Sequence, residues 1–257
     1  MAPPSAGDSA GEPCEQLAWD SEHFGFPIAR VRASTISAEA AKAIDAWCEQ
    51  REIRCLYLLA DAGDAETARV AARFGYRFVD ARLTYVHDAP DSAVDSAAAG
   101  QLEIREATEA EVPRLRELAA RSYEATRFYF DGNFPRERCD LLYELWLERG
   151  ARDPERAIVV PEVEGEAAGY QVLRLPEPGG EAVLELIAID RKLRGTGLGA
   201  AFLRSILSWV RARGATSTTT FLQARNTAAV RAHERAGFAC ARSETWYHRW
   251  YQSPRDR

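Results

Sequence analysis

The sequence predicts an α/β (α+β) fold, a central mixed sheet flanked by helices. Three observations carry that expectation. After residue 101, apolar runs of strand length alternate with amphipathic helical stretches and close on a strand–helix–strand–helix run. The helical stretches carry their own punctuation, with Thr108 and Asn226 as caps and Gly214 and Gly237 as stops. A composition of 46% hydrophobic and 28% charged residues can bury a sizeable core.

Taken in order, Leu102 to Glu106 reads as a short strand. Thr108 opens a helix, Glu111 completes its capping box, and Leu115, Leu118 and Ala119 continue the apolar stripe. Ser122 to Pro135 reads as an aromatic loop, and Arg136 to Arg149 as a second helix with Gly150 just beyond. Ala157 to Val163 and Ala168 to Leu173 form a hairpin around Glu164-Gly165-Glu166. Val183 to Ile189 is a buried strand, Gly197 to Arg213 a helix closed by Gly214, and Thr218 to Gln223 a strand. Asn226 caps a helix that stops at Gly237, and Phe238 to Tyr251 supplies one or two further strands.

The 257 residues allow one large domain or two small ones. A formal charge of −6 argues against a broad nucleic-acid surface. No apolar run reaches about 18 residues, so no membrane-spanning helix is expected. Residues 1–13 are rich in Pro, Ala, Gly and Ser, with no basic start, and read as a disordered tail rather than a secretory signal. The five cysteines are scattered and form no C-x-x-C pair, and the four histidines have no metal-ligand spacing. No metal is therefore expected, and the compartment expected is the reducing cytoplasm.

The clearest seam is Asp88 to Gln101, small, polar and acidic, which reads as a linker. It divides the chain into residues 14–87 and 102–257. The N-terminal part carries a weak internal repeat. Shifted by 162 residues (237 − 75), Gly75 falls on Gly237, Asp64 on Asn226, Arg69 on Arg231, Tyr76 on Phe238 and Tyr85 on Tyr247. Each segment reads strand, capped helix, glycine stop, strand. Two readings stand: a decayed half-copy, or chance sharing of Ala, Arg and Gly.

The stretch that carries chemistry is Asp190-Arg191-Lys192-Leu193-Arg194-Gly195-Thr196-Gly197-Leu198-Gly199. A buried strand runs into R-G-T-G-L-G, and an amphipathic helix follows. Glycines let backbone approach a ligand closely, and a helix N-terminus offers free N–H groups and a positive dipole end. Together they make an anion cradle suited to a pyrophosphate. Alone, such a turn is also compatible with a bare strand-to-helix connection or a dinucleotide site, although the spacing and late position differ from G-x-G-x-x-G. The P-loop pattern is absent.

About thirty residues on stands N-T-A-A-V-R-A-H-E-R-A-G-F, Asn226 to Phe238. R-x-x-G-x-G followed at this distance by N-x-x-A-x-x-x-[Y/H]-E-x-x-G-F resembles the GNAT acyltransferase superfamily, over roughly residues 102–250. The resemblance implies the GNAT fold, a mixed twisted sheet that splays between two neighbouring strands, here preceded by a smaller degenerate GNAT-like half. It implies acetyl-CoA as co-substrate, its pyrophosphate on Arg194, Gly195, Thr196, Gly197, Leu198 and Gly199, its pantetheine along the preceding strand and beside Asn226. A narrower resemblance lies in Leu17-Ala18-Trp19-Asp20-Ser21-Glu22-His23-Phe24-Gly25, which is similar to the L-x-W-[DE]-x-x-x-F-G opening of the TDP-fucosamine (dTDP-4-amino-4,6-dideoxygalactose) acetyltransferases. Thr126-Arg127-Phe128 sits where that family has S-R-F.

The reaction implied is attack of a primary amine on the acetyl thioester. The superfamily stabilises the oxyanion with a backbone N–H at a bulge, here around Ile187, Ala188 and Ile189. Glu185 on the same strand is a candidate base, or an exposed strand residue beside Leu184 and Leu186. The leaving thiolate needs a proton, because a thiol titrates near pH 8.5, roughly. The usual acid is a tyrosine seven residues after the capping asparagine; this chain has His233 there. The alternative is a solvated His233, with Tyr247 or water as the acid. Arg127, Phe128, Phe130 and Asp131 in the aromatic loop are candidates to hold the acceptor, or the loop packs onto the N-terminal part.

The expected function is an N-acetyltransferase acting on a small-molecule amine, an amino sugar on a nucleotide carrier. Two alternatives stay open: another amine (a protein N-terminus, lysine, a polyamine or an aminoglycoside), or a non-catalytic CoA-binding sensor. No nucleic-acid or membrane partner is expected, and the chain reads as a monomer or homodimer.

Overall fold

The computed structural model describes residues 11–88, 102–124, 126–177 and 179–251. In chain order its elements begin β1 (Cys14–Gln16), α1 (Ala18–Phe24), β2 (Ile28–Val31), α2 (Ala38–Gln50), β3 (Cys55–Asp61), α3 (Ala65–Arg73) and β4 (Arg77–Asp88). Then come β5 (Ile104–Glu106), α4 (Val112–Ala120), α5 (Arg127–Asp131), α6 (Arg136–Arg152), β6 (Arg156–Val163), β7 (Glu166–Ala167) and β8 (Gly169–Arg174). The last are β9 (Glu181–Ile189), α7 (Leu198–Arg211), β10 (Ser217–Gln223), α8 (Thr227–Arg235) and β11 (Ala239–Trp250). Two compact units result, one of residues 11–82, 126–139 and 243–251, the other of 83–124 and 140–242.

In the first unit β1 pairs antiparallel with β2, β2 parallel with β3, and β3 antiparallel with β11 from Asp61↔Glu244 to Cys55↔Trp250. Ser37 caps α2 by accepting from Ala40 N–H at 3.1 Å, and Asp64 caps α3 by accepting from Glu66 N–H at 3.1 Å. The apolar faces of α2 and α3 close on the strands through Ile44, Trp47 and Val70 against Leu56 and Leu58. The expected tail is shorter than thirteen residues. Glu12 accepts from Trp47 Nε1–H at 3.1 Å and pairs with Arg51 at 2.6 Å, and Pro13 O accepts from Arg32 N–H at 3.0 Å. The rest of that tail, and the linker from residue 89 on, lie outside the described residues.

In the second unit the strand order is β10-β9-β8-β6-β5, with β9 and β10 parallel and the other pairs antiparallel. Glu164 (φ +55°) and Gly165 (φ +81°) make the tight turn between β6 and β7, as the hairpin reading requires. The Thr108–Glu111 capping box is present and leads through a short 3₁₀ turn into α4. The core gathers Val159, Leu173, Leu184, Phe202, Leu203 and Ile206.

Three features differ from the sequence reading. The aromatic loop contains a helix, α5, whose Phe128 is buried against Phe134 just beyond it. Gly150 lies inside α6 instead of beyond it: a Cβ there would stand 2.9 Å from Val172 Cγ1, so the glycine serves close packing on β8. Of the one or two strands expected over Phe238 to Tyr251, one forms, Ala239–Trp250, as that reading allowed. And the division at the linker does not describe the units, because 126–139 and 243–251 group with the N-terminal residues through strand pairing and aromatic burial. The repeat is sharper than the sequence suggested. A 162-residue shift carries the bounds of β3, α3 and β4 (55–61, 65–73, 77–88) onto those of β10, α8 and β11 (217–223, 227–235, 239–250).

Candidate active site

The glycine loop is exposed. Asp190 accepts from Lys192 N–H at 2.9 Å and starts a 3₁₀ turn over Arg191–Leu193. Thr196 Oγ1–H donates to Leu193 O at 2.7 Å, which closes the turn. Gly195 (φ +83°) and Gly197 (φ +91°) take left-handed conformations that Cβ-bearing residues resist, and Gly197 caps α7. The α7 N-terminus therefore opens onto solvent with its first-turn amides and positive dipole end available to an anion. Gly199 sits where a Cβ would meet Ala232 Cβ at 3.8 Å, so it faces α8.

The strand before the loop has an open edge. β9 and β10 are in register from Glu181↔Ser217 to Leu184↔Thr220, and both strands continue beyond that point. On the other side β9 stays paired with β8, and Asp190 N–H donates to Ala168 O at 2.9 Å. Antiparallel strands alternate which edge their peptide groups face. Ala188 thus faces β8, while the Ile187 and Ile189 peptides face the open edge. Of the three residues expected to supply backbone groups, two have them on that edge. Their carbonyls are already in use: Ile187 O accepts from the Tyr123 hydroxyl at 2.9 Å, and Ile189 O from Arg194 Nε–H at 3.1 Å. Arg194 also donates to Ser122 Oγ at 3.3 Å.

The bulge lies earlier than expected. Val172 pairs with Leu186 and Leu173 with Leu184, which leaves Glu185 as the extra residue. The Glu185 carboxylate accepts from Arg156 at 2.9 and 3.0 Å, with both side chains only 9% exposed. Both oxygens are engaged, so taking up a proton there means breaking a buried bidentate pair.

On α8, Asn226 Oδ1 accepts from Ala229 N–H at 3.1 Å and the residue is exposed. His233, seven residues on, is 1% exposed and packs edge-on against Phe238 at 5.3 Å. Its Nδ1–H donates to Ala229 O at 2.8 Å, and Nε2 has no hydrogen-bond partner among the described residues. Burial holds its pKa below the usual histidine value, against the pull of the Ala229 carbonyl. At neutral pH Nε2 is therefore an unpaired, buried acceptor.

Residues 112–238 match the acetyltransferase (GNAT) family. This is a GNAT acetyltransferase domain. The dTDP-fucosamine acetyltransferase of Escherichia coli O6:H1 is 24% identical to the chain over 241 residues, 91% of this chain and 97% of its own length. The spore coat polysaccharide biosynthesis protein SpsD of Bacillus subtilis (strain 168) is 25% identical over 134 residues, and the match spans 52% of this chain and 46% of that protein. A GCN5-related N-acetyltransferase from Sphaerobacter thermophilus shares the fold, with a TM-score of 0.62 at 16% identity over 92% of this chain and 76% of its own.

The acetyltransferase places its other expected residues in the first unit. Arg127 NH1 donates to His248 Nε2 at 3.0 Å, and its guanidinium lies 4.2–4.4 Å from the ring centroids of Tyr57, Phe128 and Trp246. His248 Nδ1–H then donates to Asp131 Oδ2 at 2.5 Å, and Trp250 Nε1–H also donates to Asp131. Burial drives the His248 pKa down to about 4, against the pull of Asp131. Burial would raise the Asp131 carboxyl, but hydrogen bonds from His248, Trp250 and Asn133 outweigh it and hold it low. Asp20, 7% exposed, is raised by burial, with the Arg127 charge opposing. Arg127, half-buried over the Phe128 ring, and Asp131 thus meet through His248, and Phe130, at 56% exposure, is the most exposed residue of that group. Tyr247 belongs to this unit too, opposite Leu58 and edge-on to Phe78 at 6.5 Å.

Sequence reasoning missed Tyr170 and the separate placement of Tyr123, which it left within the aromatic loop. It also missed His248, whose partners lie more than a hundred residues away. Among the described residues no helix is long and apolar enough to cross a membrane.

Proposed function

We propose that the domain moves an acetyl group from acetyl-CoA to the primary amine of a nucleotide-linked amino sugar. The observation that carries this is the exposed glycine cradle at the α7 N-terminus, continuous with the open edge of β9. An anion on the Gly195–Gly199 amides places a flexible chain along Ile189 and Ile187, whose peptide groups face this edge. The nucleotide-sugar acceptor is supported by the full-length likeness to a dTDP-fucosamine acetyltransferase. In the reaction the amine nitrogen attacks the thioester carbonyl carbon. A C–N bond forms, the C–S bond breaks, the ammonium gives up a proton and the thiolate takes one up. The matching bounds of the repeat support reading residues 14–87 as a degenerate half-copy of the GNAT segment that follows.

Thiol release measured over an amine panel tests the acceptor. Nucleotide-linked amino sugars are expected to exceed free amino sugars, polyamines and peptide amines in kcat/KM by at least about tenfold, because an enzyme whose site hydrogen-bonds its substrate's polar groups rejects analogues that lack them. A polyamine or peptide used equally well removes this acceptor.

His233 fills the proton-transfer role best through Nε2, which has no hydrogen-bond partner among the described residues. It accepts the proton lost by the ammonium and returns it to the thiolate, so it must begin neutral. Its lowered pKa sets the sign: kcat falls as pH drops through a value below 6.5 and levels off at neutral pH. His233→Gln is expected to lose that acid-side inflection and at least about a hundredfold in kcat at pH 7.5. Retention of both the inflection and the rate removes His233 from the chemistry.

A further inference from the structure

Two tyrosines of the second unit have no part in the reaction as set out above. The Tyr123 hydroxyl donates to Ile187 O at 2.9 Å and accepts from the Tyr170 hydroxyl at 3.0 Å. The Tyr123 ring stacks on Tyr143 with centroids 4.3 Å apart and planes 20° off parallel. Tyr170 is itself fully buried on β8, opposite Ala188. The phenol of Tyr123 is therefore fixed by a carbonyl, a hydroxyl and a ring. Burial pushes both phenols well above their ordinary range, so both stay protonated and the hydrogen-bonded chain stays intact.

The place of this lock gives it meaning. Ile187 is three residues beyond Leu184, where β9 and β10 cease to pair, and its peptide faces the open edge. We propose that Tyr123 is a specificity-determining residue that stands across this edge and limits the donor's acyl group to two carbons. The inference rests on the acyl-CoA reading above. A donor anchored by its diphosphate at Gly195–Gly199 runs back along β9 from Ile189 towards Ile187, so its acyl carbon arrives beside the phenol. An acetyl methyl ends there. Each further methylene must displace a ring held at three points, and close-packed interiors resist added methylenes. An aromatic ring without the hydroxyl would fill the same volume but could swing; the bond to Ile187 and the one from Tyr170 make the wall rigid.

Calorimetric binding of CoA and of the unreactive thioethers S-ethyl-, S-butyl- and S-hexyl-CoA tests this without an acceptor. The wild-type chain is expected to bind S-ethyl-CoA at least about tenfold more tightly than S-hexyl-CoA. Tyr123→Ala is expected to bring that ratio to within about twofold while the Kd for CoA itself stays within about twofold. Tyr123→Phe keeps the ring and the fold, loses the lock, and is expected to lower the ratio by about threefold; it decides the matter if the alanine variant fails to fold. Equal wild-type affinity for the short and long thioethers overturns the proposal, as does a ratio unchanged in the folded variants. Loss of all CoA binding by the wild-type chain is a separate result that strikes the donor reading instead.

Discussion

Replacing Arg127 by alanine is expected to cost about 3 kcal/mol or more of folding stability. Arg127, expected from the sequence as a ligand-holding residue, is half-buried and braces His248 and three aromatic rings. Removing it leaves His248 Nε2, on a fully buried ring, without its donor, which costs about 1–3 kcal/mol. It also removes a cation from three aromatic faces, worth about 0.5–1 kcal/mol each, and the charge that opposes the burial of Asp20. Arg127→Lys should recover little of this, because an ammonium lacks the planar stack and the fork. The pH dependence has a sign. His248 takes a proton near 6.5 when unfolded but only near about 4 when folded, so wild-type stability falls as pH drops from 6.5 towards 4. With the Arg127 cation gone the folded pKa rises, and that acid-side loss becomes shallower. Urea titrations of wild type and Arg127→Ala at pH 7 and pH 5 check both points. Unchanged midpoints at pH 7, with a raised acceptor KM as the sole defect, would return Arg127 to the substrate.

The parts of the fold legible in the sequence are those written in local chemistry. Asp64 and Asn226 cap helices because a short carboxylate or amide reaches the backbone N–H of the first turn, whatever surrounds it. Gly75 and Gly237 end those helices because positive φ is needed there (+75° and +94°). This is why the 162-residue shift could be seen in spacing alone. Three other features depend on distant partners and could not. Glu185 reads as an outward residue between Leu184 and Leu186 only while the strand alternates. The bulge breaks the alternation, and Arg156, 29 residues away, then claims both oxygens. Arg127 and Asp131 are polar residues among aromatics, and nothing local says what such residues face; β11, more than a hundred residues on, engages them by bringing His248 and Trp250. Gly150 reads as a helix stop because glycine commonly is one, yet its neighbour is the Val172 side chain on β8.

Gly169→Ala is expected to have the largest effect of any single methyl added to the second unit, on stability and on donor affinity together. Gly169 begins β8 opposite Ile189. A Cβ at this position would lie far inside contact distance of the Ala188 carbonyl oxygen, and 2.9 and 3.2 Å from Ile189 Cδ1 and Cα. Backbone atoms cannot swing aside as a side chain can, so β8 and β9 must part. Overpacking of this kind costs about 3 kcal/mol, which for a unit of this size lowers Tm by roughly 6–12 °C. The displaced residues are the ones whose opposite edge carries Ile187 and Ile189, and they lead directly into the Asp190–Gly199 loop. Binding of CoA should therefore weaken by at least about tenfold at temperatures where the variant is still folded, a shift of the groove by an ångström being enough to misplace its donors. Gly150→Ala supplies the contrast. Its Cβ meets one side-chain methyl of Val172 at 2.9 Å, on a residue paired with Leu186 rather than with the loop-proximal end of β9. It should lower Tm less and leave CoA affinity within about twofold of wild type. Thermal melts and CoA calorimetry on the two variants separate the cases: equal losses of affinity in both would mean that β8 supports β9 along its whole length, and that the site is not specially tied to the Gly169–Ile189 contact.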